Sequence, residues 1–166
     1  MSRFALACLA VVAGIVIVSP AIAAPKVCVP DPCIALTLVS SAELGIYYGG
    51  NSNRRFVINA NGTVTGPDAA DYISGAAEAQ ITVGDSGSPS SINIFVNNIA
   101  TLGGLVLNQA LCSYNNGTQT RCDGSGYNIN SVEEVTLRVG LDFTTTTTHT
   151  SSSSASISFD VNVIYN

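Results

Sequence analysis

Apolar and polar residues alternate along much of this chain, most clearly over its last ten positions. Ile157, Phe159, Val161, Val163 and Tyr165 share one face, Ser158, Asp160 and Asn162 share the other, and Ile164 breaks the rule. A period of two predicts a half-buried β-strand. Chain ends fray unless packing ties them down, so this C-terminal strand is expected to belong to the core. The longest internal alternation is Val135, Leu137, Val139, Leu141 and Phe143. Shorter ones are Ile34-Leu36-Leu38, Phe56-Ile58-Ala60, Ala77-Ala79-Ile81-Val83 and Ile92-Ile94-Val96, while Leu105 to Leu111 is more continuously apolar. Asn61-Gly62 predicts a hairpin because both residues tolerate positive φ, with the return beginning at Thr63. No segment after the first 23 residues shows a helical period with caps, and Ala69 to Ala79 predicts one short helical turn at most. About eight short strands separated by turn residues predict an all-β fold, an antiparallel β-sandwich.

Two segments stand outside that pattern. Residues 1–23 open with Arg3, continue through an apolar stretch from Phe4 to Val18, break at Ser19-Pro20 and end in Ala21-Ile22-Ala23. This is the pattern of a secretory signal peptide with a small-residue cleavage site, which leaves 24–166 as a single domain with no later membrane span. Residues 144–154 are all Thr or Ser except His149. Lying between two alternating segments, the run predicts a long hairpin with a polar tip. Such composition also suits a glycan-bearing stalk, but a terminal strand follows directly and favours the hairpin.

Charge narrows the function further. Eleven acidic residues against six basic ones give a net charge of −5, and Lys26 is the only lysine. The absence of a basic patch argues against nucleic acid as a partner. Loss of the leader removes Cys8 and leaves Cys28, Cys33, Cys112 and Cys122, an even number that reads as two disulfides in an exported chain. Three pairings are possible, and proximity favours Cys28–Cys33 with Cys112–Cys122. A four-cysteine metal site is the competing reading, but neither pair has the two-residue spacing of a zinc ribbon.

Catalytic chemistry is hard to assemble from this sequence. Gly84-Asp85-Ser86-Gly87 spells the tetrad around a serine-protease nucleophile, yet the only histidine, His149, lies downstream in the Ser/Thr run, and the mechanism needs a base and an orienting carboxylate. Asp31, Asp68 and Asp71 lack the spacing of a calcium loop. Glu133 and Glu134 are adjacent, and neighbours on a strand face opposite ways. Arg54-Arg55 is a small basic spot read as surface. Asn61-Gly62-Thr63 and Asn116-Gly117-Thr118 match the N-glycan acceptor pattern, although both also read as turns. The expectation is therefore no catalytic residue, no metal and no cofactor.

Several short segments carry a family resemblance. Ala42-Glu43-Leu44-Gly45, Asn61 to Gly66, Val135 to Phe143 around Val139-Gly140, and Val161 to Tyr165 resemble the small exported bacterial proteins known as domain of unknown function 4402. These are similar to spore-coat-U-like proteins and to subunits of archaic chaperone–usher pili. Leu44 stands where that family usually has an aromatic residue, and Ser151 to Ser154 where it usually has a Gly-x-Tyr-like step. The resemblance implies an immunoglobulin-like sandwich and a non-enzymatic structural role at the bacterial surface, with a location from the periplasm to the cell exterior. It also implies as partners the chain itself or other fibre subunits, together with a periplasmic chaperone. In such assemblies one subunit donates a strand to the next. Here Ile34, Leu36 and Leu38 form either that donor or the domain's own first strand, and Pro30 and Pro32 oppose a longer one. The alternative expectation is a self-complete secreted monomer that recognises a glycan or protein through its loops.

Overall fold

A computed structural model of the chain describes residues 11–14, 36–48, 50, 52–84, 91–129, 135–148 and 155–165. The fold is all-β, and its sheets are antiparallel. In chain order the first strands are β1 (Val11–Gly14), β2 (Leu36–Ser40), β3 (Gly45–Tyr48), β4 (Arg55–Ile58), β5 (Val64–Thr65), β6 (Tyr72–Ser74) and β7 (Ala79–Val83). Then come β8 (Ile92–Leu102), β9 (Leu105–Tyr114), β10 (Thr120–Arg121), β11 (Tyr127–Ile129), β12 (Val135–Thr145) and β13 (Ser156–Tyr165). One 3₁₀ turn, Ala69–Asp71, precedes β6. Strands outnumber the eight expected because β3, β5, β6, β10 and β11 are two to four residues long, too short to show a period.

The spine of the largest sheet is β12. Along one edge it pairs with β9 from Leu137 to Thr145. Its other edge is shared, with β7 opposite Val135 to Val139 and β4 opposite Leu141 to Thr144. Gly140 sits where one neighbour gives way to the next. A Cβ there would lie 2.2 Å from the Ile58 carbonyl oxygen and 2.6 Å from the carbonyl carbon of Asn59, so only glycine lets β4 leave the sheet at this point. β2 extends the sheet beyond β7, β10 beyond β9, and β5 beyond β4. Leu36 and Leu38 thus lie in a strand paired within the domain, and Ile34 lies outside the described residues.

A second sheet runs β11-β8-β13, and a third runs β1-β3-β6. Leu137, Val139, Leu141 and Phe143 of β12 are buried against Ile92, Ile94 and Val96 of β8 and Ile157 and Phe159 of β13 in one core shared by all three sheets. Each such side chain contributes about 1.5–3 kcal/mol of burial. Alternation fails beyond Val96 and Phe159 because the β8–β13 register shifts between Ser158 and Asp160, with Asn98 left-handed at φ 48°. Such a bulge lets two residues oppose one and bends the strand. Val161 and Val163 beyond it are half-buried, and Ile164 is exposed. At the far end of β8, Gly103 and Gly104 (φ 74° and 71°) pass the chain from the second sheet into the first.

Cys112 and Cys122 form a disulfide with Cα atoms 5.7 Å apart, and neither has exposed surface. The bond ties β9 to a segment that also reaches the second sheet, because the Val96 N–H donates to the Cys122 carbonyl at 2.9 Å. Disulfides persist in oxidising compartments, which suits an extracellular or periplasmic environment. Cys28 and Cys33 lie outside the described residues. Among the described residues, no helix is long and apolar enough to cross a membrane.

Candidate functional site

Asp85, Ser86 and Gly87 of the protease-like tetrad lie outside the described residues, as do His149, Asp31, Glu133 and Glu134. Of the leader, the structure describes Val11 to Gly14, whose backbone pairs with β3 from Gly45 to Tyr48. The remaining candidates divide between a polar network on the large sheet and a cleft at one of its ends.

Arg54 and Arg55 do not form a free basic spot. Arg54 pairs with Asp71. Arg55 instead reaches across to Asp142, donating from Nε at 2.9 Å and Nη2 at 2.6 Å, while its backbone N–H donates to Asp68 at 2.7 Å. Sequence reasoning missed Asp142. It alternates with Leu141 and Phe143, which assigns it to a solvated face, yet its side chain has no exposed surface. The explanation is a bulge in β9, where the register steps from Gln109 opposite Asp142 to Leu107 opposite Phe143. Both Asn108 and Gln109 therefore close over one carboxylate, at 2.9 and 3.1 Å.

Burial alone would raise the Asp142 pKa. Hydrogen bonds from Arg55 and Asn108, the Arg55 charge and the Gln109 amide outweigh that effect and hold it below 3.8. A carboxylate that accepts this many bonds is a structural staple across β4, β12 and β9, with no lone pair poised for acid–base work. The sign of its pH dependence follows. A folded-state pKa below the unfolded one stabilises fully above about pH 4 and is lost as pH falls through the depressed value. Asp142→Asn is expected to lower the urea midpoint at pH 7, with the deficit shrinking as the pH falls below about 4. Urea titrations at pH 7 and pH 3 check this, and an equal deficit at both would contradict it.

The cleft lies at the other end of the large sheet, has a volume of about 400 Å³ and is lined mostly by residues with polar side chains, which expose polar and apolar surface in about equal measure. One wall is the β4–β5 hairpin. Its loop is Ala60-Asn61-Gly62, closed by Asn59 N–H to Thr63 carbonyl (2.8 Å) and Gly62 N–H to Asn59 carbonyl (2.9 Å), with only Gly62 left-handed at φ 79°. The hairpin expected at Asn61-Gly62 therefore forms as a three-residue loop, in which glycine alone takes the positive φ. A side chain at Gly62 would also meet a Glu78 carboxylate oxygen at 2.6 Å.

The opposite wall is the turn between β9 and β10, where Asn115 and Asn116 are left-handed, a conformation asparagine tolerates better than most residues. Ser113 Oγ donates to the Gly117 carbonyl at 2.8 Å. Gln119 fastens the two walls together: its Oε1 accepts from the Ala60 N–H at 2.6 Å and its Nε2 donates to Asn59 Oδ1 at 3.1 Å. Arg138 of β12, opposite Ser113 in register, completes the lining. Its Nη1 donates to Glu78 at 3.3 Å, and its Nε is buried with no partner.

Fold and site together define an all-β protein with a buried disulfide, a satisfied acidic staple and a cleft lined mostly by polar residues, and no group of three metal-ligating side chains occurs among the described residues. Comparison with protein-family models, with curated proteins and with solved structures found no match.

Proposed function

We propose that the chain is an exported, non-enzymatic structural subunit of the bacterial cell surface, pilin-like or coat-like, that assembles by exchanging β-strands. The observation that carries this reading is the outer edge of β13. The strand is ten residues long, pairs with β8 along one side and has no strand on the other among the described residues. It holds no proline or lysine, the residues that usually blunt such edges, and a long apolar edge is a template for another chain. Beneath it Val161 and Val163 are only half-buried, so a further strand would complete the cover over the core.

A second edge supports the same reading. Val11 to Gly14 occupies one side of β3, and removal of the expected leader vacates that side. Strand addition then supplies affinity through main-chain bonds and specificity through alternate side chains. The partners are copies of the chain or other fibre subunits, with a periplasmic chaperone covering the edge before assembly. The immunoglobulin-like connectivity and the kinship with domain 4402 proteins belong to the same proposal. An immunoblot of sheared surface material, unboiled and boiled in SDS, tests it. A high-mass ladder that collapses on boiling is expected. A single monomer band in both lanes would overturn the proposal and leave a self-contained binding module.

A further inference from the structure

None of the residues that line the polar cleft belongs to β13 or β3, the two edges proposed for strand exchange. We infer that it is a binding site for a neutral, hydroxyl-rich ligand, a carbohydrate. Four features carry this. The first is capacity, since ligand clefts run from about 300 to 1,000 Å³ and this one encloses about 400 Å³. The second is lining. Most ligand pockets are largely apolar, whereas here only Ala60 lacks a polar side chain apart from the glycine. Asn116 presents a planar amide with donors and an acceptor side by side on one wall, and Asn61 presents its amide nitrogen on the other, while Asn59 and Gln119 hold the walls together. That fork matches neighbouring sugar hydroxyls, which donate and accept at similar spacing, and the apolar part of the lining can meet the C–H face of a sugar ring.

The third feature is charge. Arg138 is the one cation on the cleft wall, but Glu78 sits against it and cancels the pull on a phosphate or carboxylate. What Arg138 has to spare is a hydrogen-bond donor: its buried Nε lacks a partner, and an unpaired buried donor is a cost that a ligand oxygen removes. The fourth is preorganisation. The Gln119 bridge fixes the hairpin against the turn before any ligand arrives, so little ordering is needed on binding. Two Asn-Gly-Thr segments, remote in sequence, thus meet across one cleft. This inference is independent of whether subunits polymerise.

The test is a nitrogen-15 NMR titration of the exported protein with four neutral trisaccharides (mannotriose, maltotriose, cellotriose and chitotriose), and with inorganic phosphate and glucuronate as anions. At least one trisaccharide is expected to shift the Arg138 Nε–H and the Gln119 amide signals saturably, with the anions silent. Asn116→Gly, which removes the amide but keeps the left-handed backbone, is expected to weaken that binding about tenfold while leaving the spectrum folded. Arg138→Lys keeps a cation opposite Glu78, removes Nε and is expected to weaken it similarly. No saturable shift from any trisaccharide, equal shifts from an anion, or unchanged binding by both variants would each overturn the inference.

Discussion

Gly140→Ala is expected to lower stability by at least about 3 kcal/mol, the upper end of what overpacking costs in a well-filled interior. The backbone of Gly140 is not left-handed, so the effect is one of space. A methyl group there meets the Ile58 carbonyl, the Asn59 carbonyl carbon and the Ala60 nitrogen, all closer than 3 Å. These are backbone atoms and cannot rotate away as a side chain would. Relief requires β4 to separate from β12, which also loosens the Arg55–Asp142 pair and strains the hairpin wall of the cleft. Gly124→Ala is the control. It adopts φ 81° with nothing within 4 Å, so it bears only left-handed backbone strain, about 1–2 kcal/mol. Urea unfolding of the two variants side by side decides the matter, and equal losses would refute the steric account.

Joint replacement of Cys112 and Cys122 by alanine is expected to cost about 3 kcal/mol through the freed entropy of the unfolded chain. Both positions are fully buried, so lost packing adds to that figure. The damage should extend beyond the small loop, because Cys122 holds the Val96 backbone of the second sheet. Guanidinium unfolding of the variant against the oxidised parent measures the loss. Hydrogen exchange at Val96 shows whether the link between sheets loosens with it. A loss under 1 kcal/mol with Val96 still protected would show that the bond does not support that link.

Most of the large sheet was legible because β7, β9 and β12 are long enough to show a period or a continuous apolar run. Leu137, Val139, Leu141 and Phe143 in β12 and Ala79, Ile81 and Val83 in β7 are all buried, as their alternation predicts. β3 left no such trace. Tyr47 is buried by Phe56, Tyr72 and Phe143, whose rings lie 4.3 to 6.1 Å from its own, and none of the three is near it in sequence. The second half of β8 was hidden by the bulge at Asn98, which interrupts the period at the point where it would have been counted. The burial of Asp142 left no sequence signal for a similar reason, since its cover comes from a bulge on a neighbouring strand. The cleft was half visible: both Asn-Gly-Thr segments stood out, but only the fold sets them face to face with Arg138.

The position of β12 in the chain also sets when the fold can form. Its three partners, β4, β7 and β9, all precede it, and β13, the main partner of β8, is later still. In a chain made from its N-terminus, most of the strands are finished before any spine exists for them to join. Pairings this distant in sequence are slow and come late. Core closure therefore waits until β12 and β13 have been made.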